Sequence, residues 1–129
     1  MVGLLLVSHS PDLVRGLEAL VRQVAGDIPL AAVGGTADGR LGTDATAILA
    51  AIEQMWTEDG ILVLVDLGSS VMATETALEL LPPERAKLVR LSGAPLVEGA
   101  IAAGVEANIG RPLERVESAA EAALYQPKF

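Results

Sequence analysis

The sequence contains no cysteine, a single histidine and almost no aromatic side chains. Without cysteine there is no disulfide and no thiol nucleophile. With one histidine as well, a zinc site of the usual Cys/His kind cannot be assembled. Aromatic residues make up 2% of the chain against 51% hydrophobic residues, so the core has to be packed from Leu, Val, Ile and Ala, side chains that let helices lie close on a sheet. Cations are scarce too. Lys87 and Lys128 are the only lysines, and nine Lys and Arg face 17 Asp and Glu, for a formal net charge of −8. Such a chain offers no counter-charge to nucleic acid or to an anionic membrane. The apolar run at the N-terminus lacks a basic flank and is too short for a signal peptide or a membrane span. The 129 residues suffice for one domain around one core. We expect a single domain over residues 1–129 in a cytoplasmic, soluble protein.

The histidine sits where a wholly apolar run, Leu4-Leu5-Leu6-Val7, ends abruptly in Ser8-His9-Ser10-Pro11-Asp12. Imidazole is the one side chain here that is a good nucleophile near neutral pH without special activation. A lone histidine is more often a surface or structural residue, so its surroundings have to carry the argument. Val2 to Val7 does not alternate and reads as a strand buried on both faces. Ser10 as N-cap, Pro11 at the first helical position and Asp12 at the positive end of the dipole open a helix. Its expected inner face is Leu13, Val14, Leu17, Leu20, Val21 and Val24.

Leu30 to Val33 is a short second strand. The glycine-rich stretch Gly34 to Gly42 follows, with Arg40 in it. It is not a P-loop, because no Gly-Lys-Ser/Thr follows, and it does not match the dinucleotide fingerprint; it reads as a flexible connection. Thr43 is placed to cap a second helix that buries Ile48, Leu49, Ile52, Met55 and Trp56. Ile61 to Val65 is another fully apolar strand, ending in Asp66-Leu67-Gly68-Ser69-Ser70. A third helix turns Val71, Leu78 and Leu81 inward, and Pro82-Pro83 stops it. Lys87 to Leu91 carries Lys87 and Arg90 and reads as an edge strand. Pro95 opens a fourth helix with Leu96, Val97, Ala100, Ile101, Gly104 and Val105 on one face, and a last helix holds Leu113, Val116, Ala120 and Leu124.

Strands alternating with helices predict an α/β fold, a doubly wound and mainly parallel four-stranded sheet in the order 2-1-3-4 with helices on both faces. In that order the first and third strands are neighbours, and the switch point lies between their carboxyl ends. His9 would then stand beside Asp66 and beside the amino end of the third helix. A carboxylate accepting from one ring nitrogen leaves the other unprotonated and nucleophilic. Backbone N–H groups around Gly68, Ser69 and Ser70 suit a phosphoryl group, and the hydroxyls of Ser69, Ser70 and Ser10 can add donors. This pattern fits a phosphohistidine carrier with His9 as the phosphorylated nucleophile and Asp66 as its orienting partner. Taken singly, Asp66 and Ser69 read as ordinary turn and cap residues.

Five segments, Val7-Ser8-His9-Ser10, Gly42-Thr43-Asp44-Ala45, Asp66-Leu67-Gly68-Ser69, Glu75-Thr76-Ala77-Leu78-Glu79-Leu80-Leu81 and Ala94-Pro95-Leu96-Val97-Glu98-Gly99, resemble those of the DhaM family in order and spacing. DhaM is the phosphotransfer subunit of the PTS-dependent dihydroxyacetone kinase and has the fold of the mannose-type enzyme IIA domains. The likeness runs from about Val2 to about Leu124. It implies a homodimer whose histidine, matching His9, accepts phosphate from phospho-HPr. The group then passes to ADP bound on the DhaL subunit, which phosphorylates dihydroxyacetone held by DhaK. It implies an aspartate near the histidine, matching Asp66, and no metal or cofactor on this chain. Some members continue into HPr-like and enzyme I-like domains. This sequence stops before them, so a separate donor protein is expected if it is whole. Other readings are another mannose-type enzyme IIA domain in sugar transport or regulation, a non-catalytic subunit binding a small anion in the same cleft, and a receiver-type domain with Asp66 as phosphoacceptor. A receiver needs an acidic pair after its first strand to hold Mg²⁺, and Ser8-His9-Ser10 stands there instead.

Overall fold

A computed structural model describes residues 1–129. The non-alternating apolar runs become its central strands. β1 (Gly3–Ser8) and β3 (Ile61–Val65) are buried along their whole length. They are flanked by β2 (Leu30–Gly34) and the three-residue β4 (Val89–Leu91) in one parallel sheet of order β2-β1-β3-β4. This is the expected strand order, with β4 at an edge. The strand is shorter than expected because Pro83–Ala86 form an additional one-turn helix, α4, and Lys87 caps its end.

Alternate side chains of the central strands serve two cores, which is why their sequences show no polar face. Leu4, Leu6, Leu62 and Leu64 pack under α1 (Pro11–Ala25), α5 (Leu96–Asn108) and α6 (Leu113–Ala122). Leu5, Val7, Ile61 and Val63 pack under α2 (Ala45–Gln54) and α3 (Gly68–Glu79). Each fully buried Leu or Ile is worth about 1.5–3 kcal/mol of transfer free energy, so the two faces hold the sheet from both sides.

The helices differ from expectation in which face they bury. In α1, Val14, Leu17 and Val21 are buried with Ala25, but Leu13, Leu20 and Val24 remain exposed. In α5 the inner face is Gly99, Ala100, Ala103, Gly104 and Ala107, while Val97 and Val105 face outward. The reason is close approach. A Cβ on Gly104 would stand 2.9 Å from Ala25 Cβ and 3.2 Å from Val21 Cγ1, and one on Gly99 would stand 3.1 Å from Leu64 Cδ2. In α3 the buried row is Ser70, Thr74 and Ala77, with Val71 and Leu78 only half-buried. Asp44, not Thr43, caps α2, its carboxylate accepting from the N–H groups of Thr46 and Ala47. Met55 and Trp56 are half-buried beyond the helix end, and Leu124 is exposed. No helix is long and apolar enough to cross a membrane.

Candidate active site

The register of the sheet sets the site. Val7 pairs with Val65, so β1 runs one residue past the end of β3, and the next residues out, His9 and Asp66, leave from adjacent strand ends. α1 begins at once after His9 because Ser10 accepts from the Leu13 N–H at 3.2 Å and Pro11 fits the first helical position.

Asp66 is the hub. Its Oδ1 accepts from His9 Nδ1–H at 3.0 Å, from the Ser70 hydroxyl at 2.7 Å and from the Leu67 N–H at 2.7 Å. Its Oδ2 accepts from the His9 backbone N–H at 2.9 Å and from the Ser8 hydroxyl at 2.8 Å. Burial acts to raise the carboxyl's pKa. The His9 backbone N–H, the Ser70 and Ser8 hydroxyls and the His9 ring outweigh it and hold Asp66 far below the usual carboxylate range. Asp66 is therefore a fixed anion with both oxygens engaged, a poor candidate for an acyl-phosphate nucleophile.

The bond from Nδ1 to Asp66 fixes the tautomer. The proton sits on Nδ1, and Nε2 presents a lone pair, met by the Ser69 hydroxyl as donor. Ser69 is the second residue of α3, whose N-cap residue Leu67 provides no side-chain cap. The first N–H groups of that helix are thus left for another acceptor beside Nε2. None of the groups bonded to His9 or Asp66 is a lysine or arginine. Chemically, the arrangement is an imidazole oriented by Asp66, with its second nitrogen met by the Ser69 hydroxyl and next to uncapped helix donors. No three His, Cys, Asp or Glu side chains are grouped to hold a metal ion.

The sequence-derived candidates separate into two sets. Ser69 and Gly68 lie on the Nε2 side. Gly68 does not have a positive φ, and a Cβ there would meet nothing within 4 Å, so the space above it is open. Ser70 is turned inward and fully buried, its hydroxyl on Asp66 and 3.3 Å from Nδ1, which makes it a support of the carboxylate rather than a phosphate contact. The Ser10 hydroxyl oxygen serves as the helix cap. Arg40 lies in its loop paired with Asp38 at 2.7 Å.

Two contributors escaped the sequence reading. Ser8 is fully buried, donates to Asp66 and accepts from the Ser10 N–H at 3.0 Å. The available signal was a lone hydroxyl closing an apolar buried strand, which demands a partner. The other is the glycine-rich loop. Far from a free connection, it is tied to the site at both ends, Gly35 N–H to the Ser8 carbonyl at 3.4 Å and Gly42 N–H to the His9 carbonyl at 3.0 Å. Thr43 then donates to the Ser69 carbonyl at 3.2 Å.

Comparison with known proteins gives this geometry a context. The model of the EIIA-man family, described as the PTS system fructose IIA component, matches residues 3–117. The chain belongs to this family. Within it, the chain is similar to proteins named as the phosphoryl donor subunit DhaM of PEP-dependent dihydroxyacetone kinase. It is 44% identical to the Escherichia coli protein over 90% of this chain but only 25% of that one. It is 38% identical to a Listeria innocua protein over 90% of this chain and 94% of that one. The chain thus spans about a quarter of the longer relatives and nearly all of the shorter. Among solved structures, a protein of unknown function, EF1359, superposes with a TM-score of 0.82 at 32% identity, covering 93% of this chain and 92% of that one. The phosphotransferase system component EIIA from Streptococcus agalactiae superposes with a TM-score of 0.69 at 17% identity, over 97% and 93%, and shares the fold.

Proposed function

We propose that this chain is a phosphohistidine carrier of the phosphoenolpyruvate phosphotransferase system, serving a dihydroxyacetone kinase. The observation that carries the reading is the contact of His9 Nδ1 with an ionised Asp66, which assigns the proton to Nδ1 and leaves the Nε2 lone pair to the Ser69 hydroxyl at the start of α3. In the loading step Nε2 attacks phosphorus, the donor's own bond to phosphorus breaks, and no proton need leave His9. The positive charge that develops on the ring is offset by Asp66. The free N–H groups of Gly68 and Ser69 and the Ser69 hydroxyl receive the phosphoryl oxygens. In the unloading step an oxygen of the acceptor attacks phosphorus, the Nε2–P bond breaks, and the imidazole returns to its starting tautomer.

The donor on this reading is phospho-HPr, and the acceptor is ADP held on DhaL in company with DhaK. The likeness to proteins named DhaM supports that choice over the other family roles. The setting is cytoplasmic and the assembly a homodimer. Support for the dimer is the exposed apolar row Leu13, Leu20 and Val24 on α1, since contiguous exposed apolar surface marks interaction sites. Light scattering is expected to report twice the chain mass at micromolar concentration, and a monomer there would exclude the dimer.

The test of the carrier is mass spectrometry after incubation with phosphoenolpyruvate, enzyme I and HPr. The expected result is one acid-labile, base-stable phosphoryl group on His9, absent from His9→Ala and discharged by DhaL–ADP. Undiminished labelling of His9→Ala would refute the assignment.

A further inference from the structure

Because Asp44 caps α2, the hydroxyl of Thr43 is released from that duty. It donates instead to the Ser69 carbonyl at 3.2 Å, a residue 26 positions away in the chain. The fold has no evident need of this bond. Ser69 is the second residue of α3. Its carbonyl therefore belongs to the helix ladder, paired with the N–H four residues on, and not to the four carbonyls that a helix leaves unpaired at its far end. The bond also lies at the exposed surface, where water could serve the hydroxyl equally well.

What the bond does is close a ring. Gly42, the residue before Thr43, donates its N–H to the His9 carbonyl at 3.0 Å. Thr43 holds the Ser69 carbonyl, and the Ser69 hydroxyl returns to Nε2 of the His9 ring. Two adjacent residues thus grip the backbone of the nucleophile on one side and the start of α3 on the other. Both grips are firm. Gly42 has a φ of +145°, and a Cβ there would stand 2.7 Å from Thr36 Cγ2, so the corner favours glycine on both counts. On the other flank α2 begins almost at once, at Ala45. α3 itself starts without a side-chain cap, so a tie from outside the helix bears on where its first turn sits.

We propose that Thr43 is a positioning residue for loading, setting the gap between His9 Nε2 and Ser69 in which the phosphoryl group is received. The proposal rests on the carrier reading and gives the glycine-rich loop a task, to hold Thr43 at that span. In loading, the Nε2 lone pair forms the bond to phosphorus, and the donor's bond to phosphorus breaks with its electron pair leaving on the donor. The Ser69 hydroxyl then turns its proton from Nε2 to a phosphoryl oxygen. It serves both states when its backbone stays in place while the hydroxyl rotates. Without the Thr43 bond the first turn of α3 is freer to move away from the ring, and a misplacement of about 1 Å can cost about 100-fold in rate.

The test is a double-mutant cycle on the full chain with two alternative donors, phospho-HPr and the small molecule phosphoramidate, which releases ammonia and needs no protein contact. Thr43→Val keeps the shape of threonine without its hydroxyl. It is expected to lower the maximal rate of His9 labelling by about tenfold with both donors and to leave KM for phospho-HPr within about twofold. Thr43→Ala, which adds no apolar branch, is expected to behave in the same way, and Thr43→Ser to return the rate to within about twofold of the wild type. In the Ser69→Ala background, Thr43→Val is expected to cost about twofold or less, because the hydroxyl it positions is gone. Wild-type rates in Thr43→Val and Thr43→Ala would overturn the role of Thr43 and leave the carrier standing. So would a loss confined to KM for phospho-HPr, a Thr43→Ser variant as slow as Thr43→Val, or equal losses with and without the Ser69 hydroxyl. A wild-type chain labelled by neither donor would overturn the carrier reading and this inference with it.

Discussion

Asp66→Asn is the most searching perturbation of this site, because an amide can take the carboxylate's place in two ways and only one of them keeps the nucleophile. Suppose the amide oxygen occupies the Oδ1 position. It still accepts from His9 Nδ1–H, but the NH₂ group now faces the His9 backbone N–H, a fixed and part-buried donor. Suppose instead that the NH₂ occupies the Oδ1 position. It then faces the Leu67 N–H, which is exposed and can turn to water, while the oxygen keeps the bonds from Ser8 and from the His9 backbone. Ser70 and Nδ1 must then act as acceptors. An orphaned buried donor costs about 1–3 kcal/mol, and an exposed one much less. The second orientation is therefore favoured by about 1 kcal/mol or more, and it drives the ring to the tautomer with the proton on Nε2.

The expected stability loss is about 1–3 kcal/mol, the difference between charged and neutral acceptors at the surviving bonds. The expected rate loss is far larger. An Asp-to-Asn change that inverts a catalytic histidine's tautomer costs about 10⁴-fold in serine proteases, and we expect about 10³-fold or more here. Urea unfolding reads the first quantity, and initial rates of labelling from phospho-HPr read the second. ¹⁵N shifts of the His9 ring identify the tautomer directly. An Asn variant that loads within about tenfold of the wild type, or whose ring keeps its proton on Nδ1, would refute the argument that Asp66 acts by fixing the tautomer.

Other outcomes follow from the same contacts. Because the folded pKa of Asp66 is depressed, its contribution to stability is whole above the unfolded value of about 3.9 and is lost as pH falls through the lower folded value. The gap in urea midpoint between wild type and Asp66→Asn should thus close as pH falls below about 4; a gap that widens from about pH 4 downward would contradict it. Ser8→Ala leaves the Ser10 N–H without its acceptor and Oδ2 one donor short, for an expected loss of about 1–2 kcal/mol by chemical denaturation. In Gly34→Ala the new Cβ would stand 2.8 Å from the Ser10 carbonyl oxygen and 2.9 Å from Pro11 Cα, so a loss of about 1–3 kcal/mol is expected, with slower loading as the β1–α1 corner shifts. Gly68→Val meets open space, so its melting temperature should stay near that of the wild type while phosphate uptake slows; parallel loss of both would remove the case for a phosphate cradle.

What was legible in the sequence was local or topological. The N-cap and proline that start α1 and the unalternating runs of β1 and β3 are short-range signals, and with the alternation of elements they suffice to bring His9 to Asp66. The faces of α1 and α5 were not legible, because counting large apolar residues assumes that the largest go inside. In α5 the tight approach to α1 and β3 selects Gly99, Ala103, Gly104 and Ala107 and leaves Val97 and Val105 outside. The small residues three to five apart were the available cue. Ser70 looked like a phosphate ligand because sequence does not say which way the second turn-forming serine points. The purpose of the loop could not be read at all, since its glycines answer to the carbonyls of Ser8 and His9, which are near it only in the folded sheet.

That no lysine or arginine is bonded to His9 or Asp66 is best understood as a condition of carrying rather than a defect. On the proposed reading, a loaded His9 holds roughly two negative charges on its phosphoryl group, with ionised Asp66 on the other side of the ring. Two unit charges about 4 Å apart near a protein surface interact by about 4 kcal/mol at an effective dielectric of 20, so the repulsion from Asp66 is appreciable even across the wider span of the imidazole. The helix N–H groups and Ser69 offset it only in part. A built-in arginine would stabilise the loaded state further and deepen the well from which the phosphoryl group must leave. Leaving that charge to the partner makes stabilisation of the transition state coincide with docking, where a cation supplied in trans is worth about 10³–10⁵ in rate in other phosphoryl transfers. Between encounters the group is held by dipoles, and no lysine or arginine bonded at the site assists the attack of water. A variant that introduces the missing charge tests this. Met72→Arg, one turn below Ser69, should lengthen the half-life of the loaded form and slow its discharge to DhaL–ADP. A loaded form that discharges as fast as the wild type, with an unchanged half-life, would show that the scarcity of cations around His9 has no bearing on transfer.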